Sequence, residues 1–307
     1  MKNKVQLIIK PREANIGIPV RRILPWAKKR MVGPFIFLDQ MGPAFMKAPN
    51  DRMDVKPHPH IGLSTLTYLF EGQLMHRDSL GVEQLILPGE VNWMTAGRGI
   101  AHSEREPQNV RDEDRTIHGL QFWVALPLEK EDIEPSFYHY EHSDIPVIKK
   151  DSLTITIVAG NAFDRTSNLH IHSPMIFMIM STHEKGTFTF EHIPGHEHAL
   201  YVVKGSLKIG DETLNEHEMM VFEKESDIEV SYSKGTIFAL IGGEPFPEPR
   251  HIFWNFVSSS KEKIEEAKRA WTDGSFPQVP GDDENIPIPG STPVVNYPFL
   301  SGPKSTS

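Results

Sequence analysis

Residues 54–81 read DVKPHPHIGLSTLTYLFEGQLMHRDSLG, and residues 88–105 read PGEVNWMTAGRGIAHSER. Apolar and β-branched residues cluster in short runs between turn signals, which predicts strands at Leu63–Phe70, Gln73–Arg77, Glu83–Leu87 and Val91–Thr95. The turns fall at Glu71-Gly72, Ser79-Leu80-Gly81 and Pro88-Gly89. Short strands at this spacing predict an all-β barrel or sandwich. Two phrases carry chemistry: His58-Pro59-His60 and His102-Ser103-Glu104. In extended chain, residues i and i+2 point to the same side, so each phrase offers two donors to one point. Neighbouring strands of a barrel bring the two phrases together. Three imidazoles and one carboxylate suit a borderline divalent metal and leave one or two positions open on a six-coordinate ion. The bland alternative is a set of histidines satisfied by ordinary hydrogen bonds. Gly97-Arg98-Gly99 reads as a tight turn into the second phrase, because the third glycine and following helix of a dinucleotide loop are missing.

Working outward, Phe35–Leu38 reads as a buried strand between Gly33-Pro34 and Gly42-Pro43, and Leu120–Leu126 as another strand. Residues 127–151 are polar and contain proline, the pattern of a linker. The β pattern resumes at Thr154–Val158, Met175–Met180, Gly186–Phe190, Leu200–Val203, Ser206–Ile209, Met219–Phe222, Ile228–Ser231 and Ile237–Ile241. Leu69-Phe70-Glu71-Gly72-Gln73-Leu74 is echoed by Val202-Val203-Lys204-Gly205-Ser206-Leu207, and an HxH pair lies upstream of each, which predicts a duplicated barrel. One helix is signalled near 259–273, with a capping box from Ser259 to Glu262, apolar Ile264, Ala267, Ala270 and Trp271, and a stop at Gly274. Beyond Pro277 the chain reads as an extended tail.

Composition narrows the function classes. The chain has 307 residues, enough for two domains, and 15 histidines but no cysteine. Disulfides, thiolate metal sites and cysteine nucleophiles are therefore excluded, and any metal is held by nitrogen and oxygen. The net charge of −9 argues against direct nucleic-acid binding, and Lys28-Lys29-Arg30 reads as a solvated turn. No apolar run is long enough for a membrane span or a signal-peptide core, which makes the cytoplasm the expected location.

The stretches GPFIFLDQMGP (33–43), 54–81, 88–105 and HGLQFWVALP (118–127) resemble the pirin family of the cupin superfamily. The likeness is dense over 15–145. It extends more weakly through LIGGEPFPEP (240–249), WNFVSSSKEKIEEAK (254–268) and the tail from PGDDE to PIP (280–289), where it resembles bacterial members. The resemblance implies an all-β bicupin of two stacked barrels: a metal-binding domain over 1–145, a second cupin domain over 146–290 that includes the helix, and an extended tail over 291–307. It implies one Fe(2+) in the first barrel, on His58, His60, His102 and Glu104; Mn, Co, Ni, Cu and Zn are chemically admissible there too. Gln40 replaces the family's usual histidine, which bears on the shape around the site. Thr65 stands where general cupins carry a glutamate ligand. His196 and His198 mimic the first motif but lack its carboxylate and any partner histidine near Glu225–Val230, so they read as remnants or interface residues. His170 and His172 read as loop histidines.

The implied activity resembles quercetin 2,3-dioxygenase: ring opening of a flavonol-like phenol with O2, with Glu104 also a candidate general base. Phe35, Phe37, Leu63 and Phe122 are candidates for an apolar wall, and His76 and Gln121 for side chains that orient the ligands. The alternative is an iron-dependent redox-sensing module that binds a protein partner without turnover. A different metalloenzyme chemistry is a third reading, since fold alone does not choose.

Overall fold

A computed structural model describes residues 3–16, 18–150 and 152–290; the tail expected over 291–307 lies outside the described residues. Each half of the molecule is a seven-stranded sheet facing a four-stranded sheet. In the first half the smaller sheet runs in the order Asp54–His60, Ile100–Arg105, Leu74–Asp78, Glu83–Ile86. Its larger sheet has Leu63–Glu71 and Arg115–Ala125 near the centre, then Phe35–Met46. The second half repeats the plan, with Gly186–Phe190, Ile228–Tyr232, Ser206–Ile209 and Glu212–Asn215 as the smaller sheet. This is the duplicated barrel predicted from the echoed phrases, and the bicupin that the family resemblance implies. Gly72 and Gly205, the shared turn residues, both take positive φ, 84° and 86°. A Cβ at Gly72 would lie 2.7 Å from the Thr116 carbonyl oxygen, so the turn needs glycine.

The two large sheets stack face to face, and their contact is the main core of the molecule. Phe35, Leu66 and Phe122 from the first sheet meet Phe177, Tyr201 and Val221 from the second. The Phe35 and Phe122 rings stand 5.5 Å apart, and Phe122 lies 4.8 Å from Phe177. The inside of the second barrel is a separate apolar core that includes Ile155, Met178, Phe188, Leu200, Leu207 and Leu240.

Three details depart from the sequence reading. The presumed linker is structured: Ser136–Tyr140 is an edge strand paired with Val91–Thr95, and Val147–Lys150 pairs with Leu153–Ala159. Its sparse apolar content reflects edge positions, which face solvent on one side. The first strand, Val5–Ile9, does not join the first half; it pairs with Met219–Phe222 and completes the second large sheet. The helix spans Lys261–Asp273 and is capped by Ser260, whose hydroxyl accepts from the Lys263 N–H, rather than by Ser259. Ser259 is committed elsewhere, since its N–H and hydroxyl both donate to the buried Glu131 carboxylate. Gly274 ends the helix in the left-handed region as expected, and Ile264, Ala267 and Trp271 face inward. Among the described residues no helix is long and apolar enough to cross a membrane.

Phe177 touches both aromatic partners of the opposite sheet. Phe177→Ala is expected to lower stability by about 3–5 kcal/mol, measured by denaturant unfolding. A loss below about 1 kcal/mol would mean that the stacked sheets do not share one core.

Candidate metal centre

The strands Asp54–His60 and Ile100–Arg105 are antiparallel neighbours, and their register sets His102 directly opposite His58. The register shifts between His102 and Glu104, so Glu104 pairs with Val55. On its other side the same strand sets His102 opposite Asp78 and Glu104 opposite His76. The ligand-capable nitrogens of His58, His60 and His102 all lie within 4.8 Å of one another. His60 and His102 are 1% exposed, while His58 and Glu104 keep 7% and 9%, so the accessible side of the cluster lies over the latter pair.

The protonation of the imidazoles follows from their surroundings. His58 Nδ1 is 2.8 Å from the Lys56 carbonyl oxygen, which can only accept, so Nδ1 carries the proton and Nε2 its lone pair. Burial lowers the His58 pKa to about 4, with the Lys56 carbonyl opposing and the charge of His76 adding. Burial also holds His60 and His102 well below the usual range, and neighbouring imidazole charge pushes the same way. Neutral imidazoles with free Nε2 atoms are what a metal requires. His60 Nε2 and His102 Nε2 stand 3.1 Å apart. With metal–nitrogen bonds of about 2.1 Å that separation corresponds to an angle of roughly 95°, the spacing of adjacent positions around one ion. The donor set fits a divalent metal.

The comparisons with known proteins agree with this architecture. Residues 17–124 match the family described as Pirin, and residues 177–277 match the Pirin C-terminal cupin domain. A pirin-like protein of Caulobacter vibrioides is 43% identical over 290 residues, covering 93% of this chain and 99% of the relative. The chain belongs to the pirin family. A crystal structure of quercetin 2,3-dioxygenase from Acinetobacter baumannii is 36% identical with a TM-score of 0.85, covering 94% of this pirin and 95% of that chain. A bacterial pirin from Escherichia coli in complex with nickel(II) shares the fold at 20% identity and a TM-score of 0.61, over 78% of this chain and 99% of that one.

Around the three histidines of this pirin the expected residues divide. Glu104 does not belong to the tight group; its carboxylate oxygen lies 3.1 Å from the Thr67 hydroxyl. Burial raises its pKa, against the opposing effects of His76 and the Thr67 hydroxyl. The same hydroxyl lies 2.8 Å from the Gln121 side-chain oxygen, so Gln121 reaches the site through Thr67. His76 is at hand, with Nδ1 3.4 Å from His102 Nδ1 and its ring stacked 4.4 Å from Phe137. Phe37 stacks on Trp123 at 3.9 Å, and Trp123 presents its face or edge to His60 at 5.2 Å. Leu63 packs in the same cluster.

Phe35 and Phe122 are corrections: both lie in the core between the barrels and line no wall of the metal site. Gln121 and Trp123 flank Phe122 on the same strand and face the histidines, so Phe122 faces the opposite side. Gln40 likewise serves the joint between barrels. Its side-chain oxygen accepts from the Tyr201 hydroxyl at 2.6 Å, and its nitrogen meets His118 Nε2 at 3.0 Å. Counted back from Gly72 and Gly205, His196 and His198 fall where the first half has Leu63 and Thr65, so they are not counterparts of His58 and His60. His196 Nδ1 and His198 Nε2 are buried without hydrogen-bond partners. His170 and His172 lie outside strands, as expected, and bond Tyr140 and Thr95 of the first half. Sequence reasoning missed Thr67, Asp78, Trp123 and Phe137. The first and third share the parity of Thr65 and Gln121 on paired strands, which was a usable signal; Phe137 had none.

His102→Ala removes the imidazole at the centre of the cluster. The purified variant is expected to retain less than about a tenth of the wild-type metal, measured by elemental analysis. Full occupancy would sink the assignment.

Proposed function

We propose that this pirin is a cytoplasmic mononuclear non-haem iron dioxygenase that opens a flavonol-like ring with O2. The carrying observation is the convergence of three neutral imidazoles within 4.8 Å inside a barrel whose twin is filled with apolar side chains. The likeness to the Acinetobacter baumannii quercetin 2,3-dioxygenase supports the substrate class. His58, His60 and His102 would hold Fe(II) through Nε2, with Glu104 as the fourth ligand. The ion, when bound, supplies Lewis acidity toward a phenolic hydroxyl and a one-electron path to dioxygen.

The chain supplies the rest. The ring would approach over His58 and Glu104, the two less enclosed members of the cluster. The stacked Phe37 and Trp123 pair offers an apolar face beside His60. Glu104 would accept the substrate's hydroxyl proton. Thr67 holds the carboxylate by its hydroxyl and keeps it aimed at the site.

The test is anaerobic loading with Fe(II), addition of quercetin, then admission of O2. One O2 consumed and one carbon monoxide released per flavonol are expected, with both oxygen atoms of O2 retained in the products. Glu104→Gln is expected to slow turnover by about 10²–10⁴-fold, with iron content measured alongside. Bound iron with no O2 uptake removes the dioxygenase reading and favours the redox-sensing one.

A further inference from the structure

Beside the cluster lies a buried pair, Asp78 and His76; Asp78 has no role so far, and His76 is a candidate for orienting the ligands by a route not yet specified. Asp78 is fully buried and lies on the strand next to His102. Its Oδ1 accepts from the Leu80 and Val82 N–H groups at 2.8 and 3.2 Å. Its Oδ2 lies 3.0 Å from His76 Nε2. A carboxylate only accepts, so His76 Nε2 donates. The hydrogen-bonded arrangement that joins all three groups leaves a lone pair on the remaining nitrogen, Nδ1, which faces His102 Nδ1 at 3.4 Å. His102 must therefore hold its proton on Nδ1, which frees Nε2 to face His60 Nε2 at 3.1 Å.

We propose that Asp78 and His76 form a tautomer relay that fixes the proton of His102 on the side away from the metal, making both of them positioning residues. The proposal rests on the metal reading of the site above. His76 works here as an acceptor from the ligand, not as a donor to it. Its ring is held at the angle this requires by stacking on Phe137 at 4.4 Å.

The relay predicts an unusual result for the isosteric change Asp78→Asn. The two backbone N–H groups would keep the asparagine oxygen in the Oδ1 place, so its NH2 group must point at His76 Nε2. The chain of hydrogen bonds then reverses: His76 donates from Nδ1, and His102 carries its proton on Nε2, where the metal belongs. His76→Gln offers the opposite control, since an amide can accept from His102 and donate to Asp78. His76→Phe keeps a ring beside Phe137 and removes both hydrogen bonds.

The experiment is titration of each full-length variant with Co(II), following the d–d absorption bands and the dissociation constant. Asp78→Asn and His76→Phe are expected to weaken binding about 10–100-fold and to shift the bands, while His76→Gln stays nearest the wild type. Wild-type affinity and bands in Asp78→Asn would overturn the relay; if that variant does not fold, the same result in His76→Phe would do so. Equal weakening in all three variants would also overturn it, because packing alone would then explain the loss. No Co(II) binding by the wild type would instead overturn the metal reading, and the relay with it.

Discussion

The pairing of His102 opposite His58 across two antiparallel strands is the contact on which the site depends. Strand geometry places side chains alternately on the two faces, so this one register decides which residues enter the barrel. With it set, His60 and His102 point their Nε2 atoms at each other, and Glu104 comes to lie against Thr67 of the opposing sheet. A slip of one residue would turn all of them outward. The extra residue at the register shift falls on the Asp54–His60 strand between Val55 and His58, so Ile100–Arg105 stays regular and Glu104 keeps the face of His102, outside the tight group of nitrogens.

A second constraint acts through the large sheets. Each is covered on both faces, by its own barrel interior and by the other barrel. Strands at such positions carry apolar residues on both sides and lose the clean alternation that reveals an inside and an outside. The run Phe35-Ile36-Phe37-Leu38 is such a case. Phe37 turns to the first barrel and stacks on Trp123, while Phe35 and Leu38 turn to the second barrel and Phe177. The same division separates Gln121 from Phe122.

That division explains what could be read in the sequence. Most strands were legible because glycine and proline bound them; Val91–Thr95, Gly186–Phe190, Ser206–Ile209 and Met219–Phe222 match residue for residue. The three histidines were legible because i, i+2 spacing is a local property. Phe35 and Phe122 were misplaced because their direction depends on which neighbour each face meets, and no local pattern records that. The pairing of Val5–Ile9 with Met219–Phe222 joins residues more than two hundred apart, so the presence of the strand could be guessed but its partner could not. Ser136–Tyr140 was missed for the complementary reason: an edge strand needs only one apolar face, and its polar residues look like a linker.

Among the described residues one barrel gathers three histidines and the other an apolar core, and burial energetics accounts for the difference. A buried imidazole or carboxylate is stable only with partners, whereas a barrel interior is stable with apolar side chains alone. The first barrel holds three of its four site residues through such contacts, Lys56 carbonyl to His58, Asp78 through His76 to His102, and Thr67 to Glu104, while His60 Nδ1 is buried without a partner. The strands of the second barrel that correspond to the ligand-bearing ones carry Phe188, Phe190, Ile228 and Val230 in its core. Losing one ligand of a connected set leaves the others buried and unsatisfied, so an intermediate with half the set is less stable than either end state. His196 and His198 therefore do not represent half a site. Their first-barrel equivalents, Leu63 and Thr65, are not ligands, and His198 packs against Phe190 of the second barrel's apolar core.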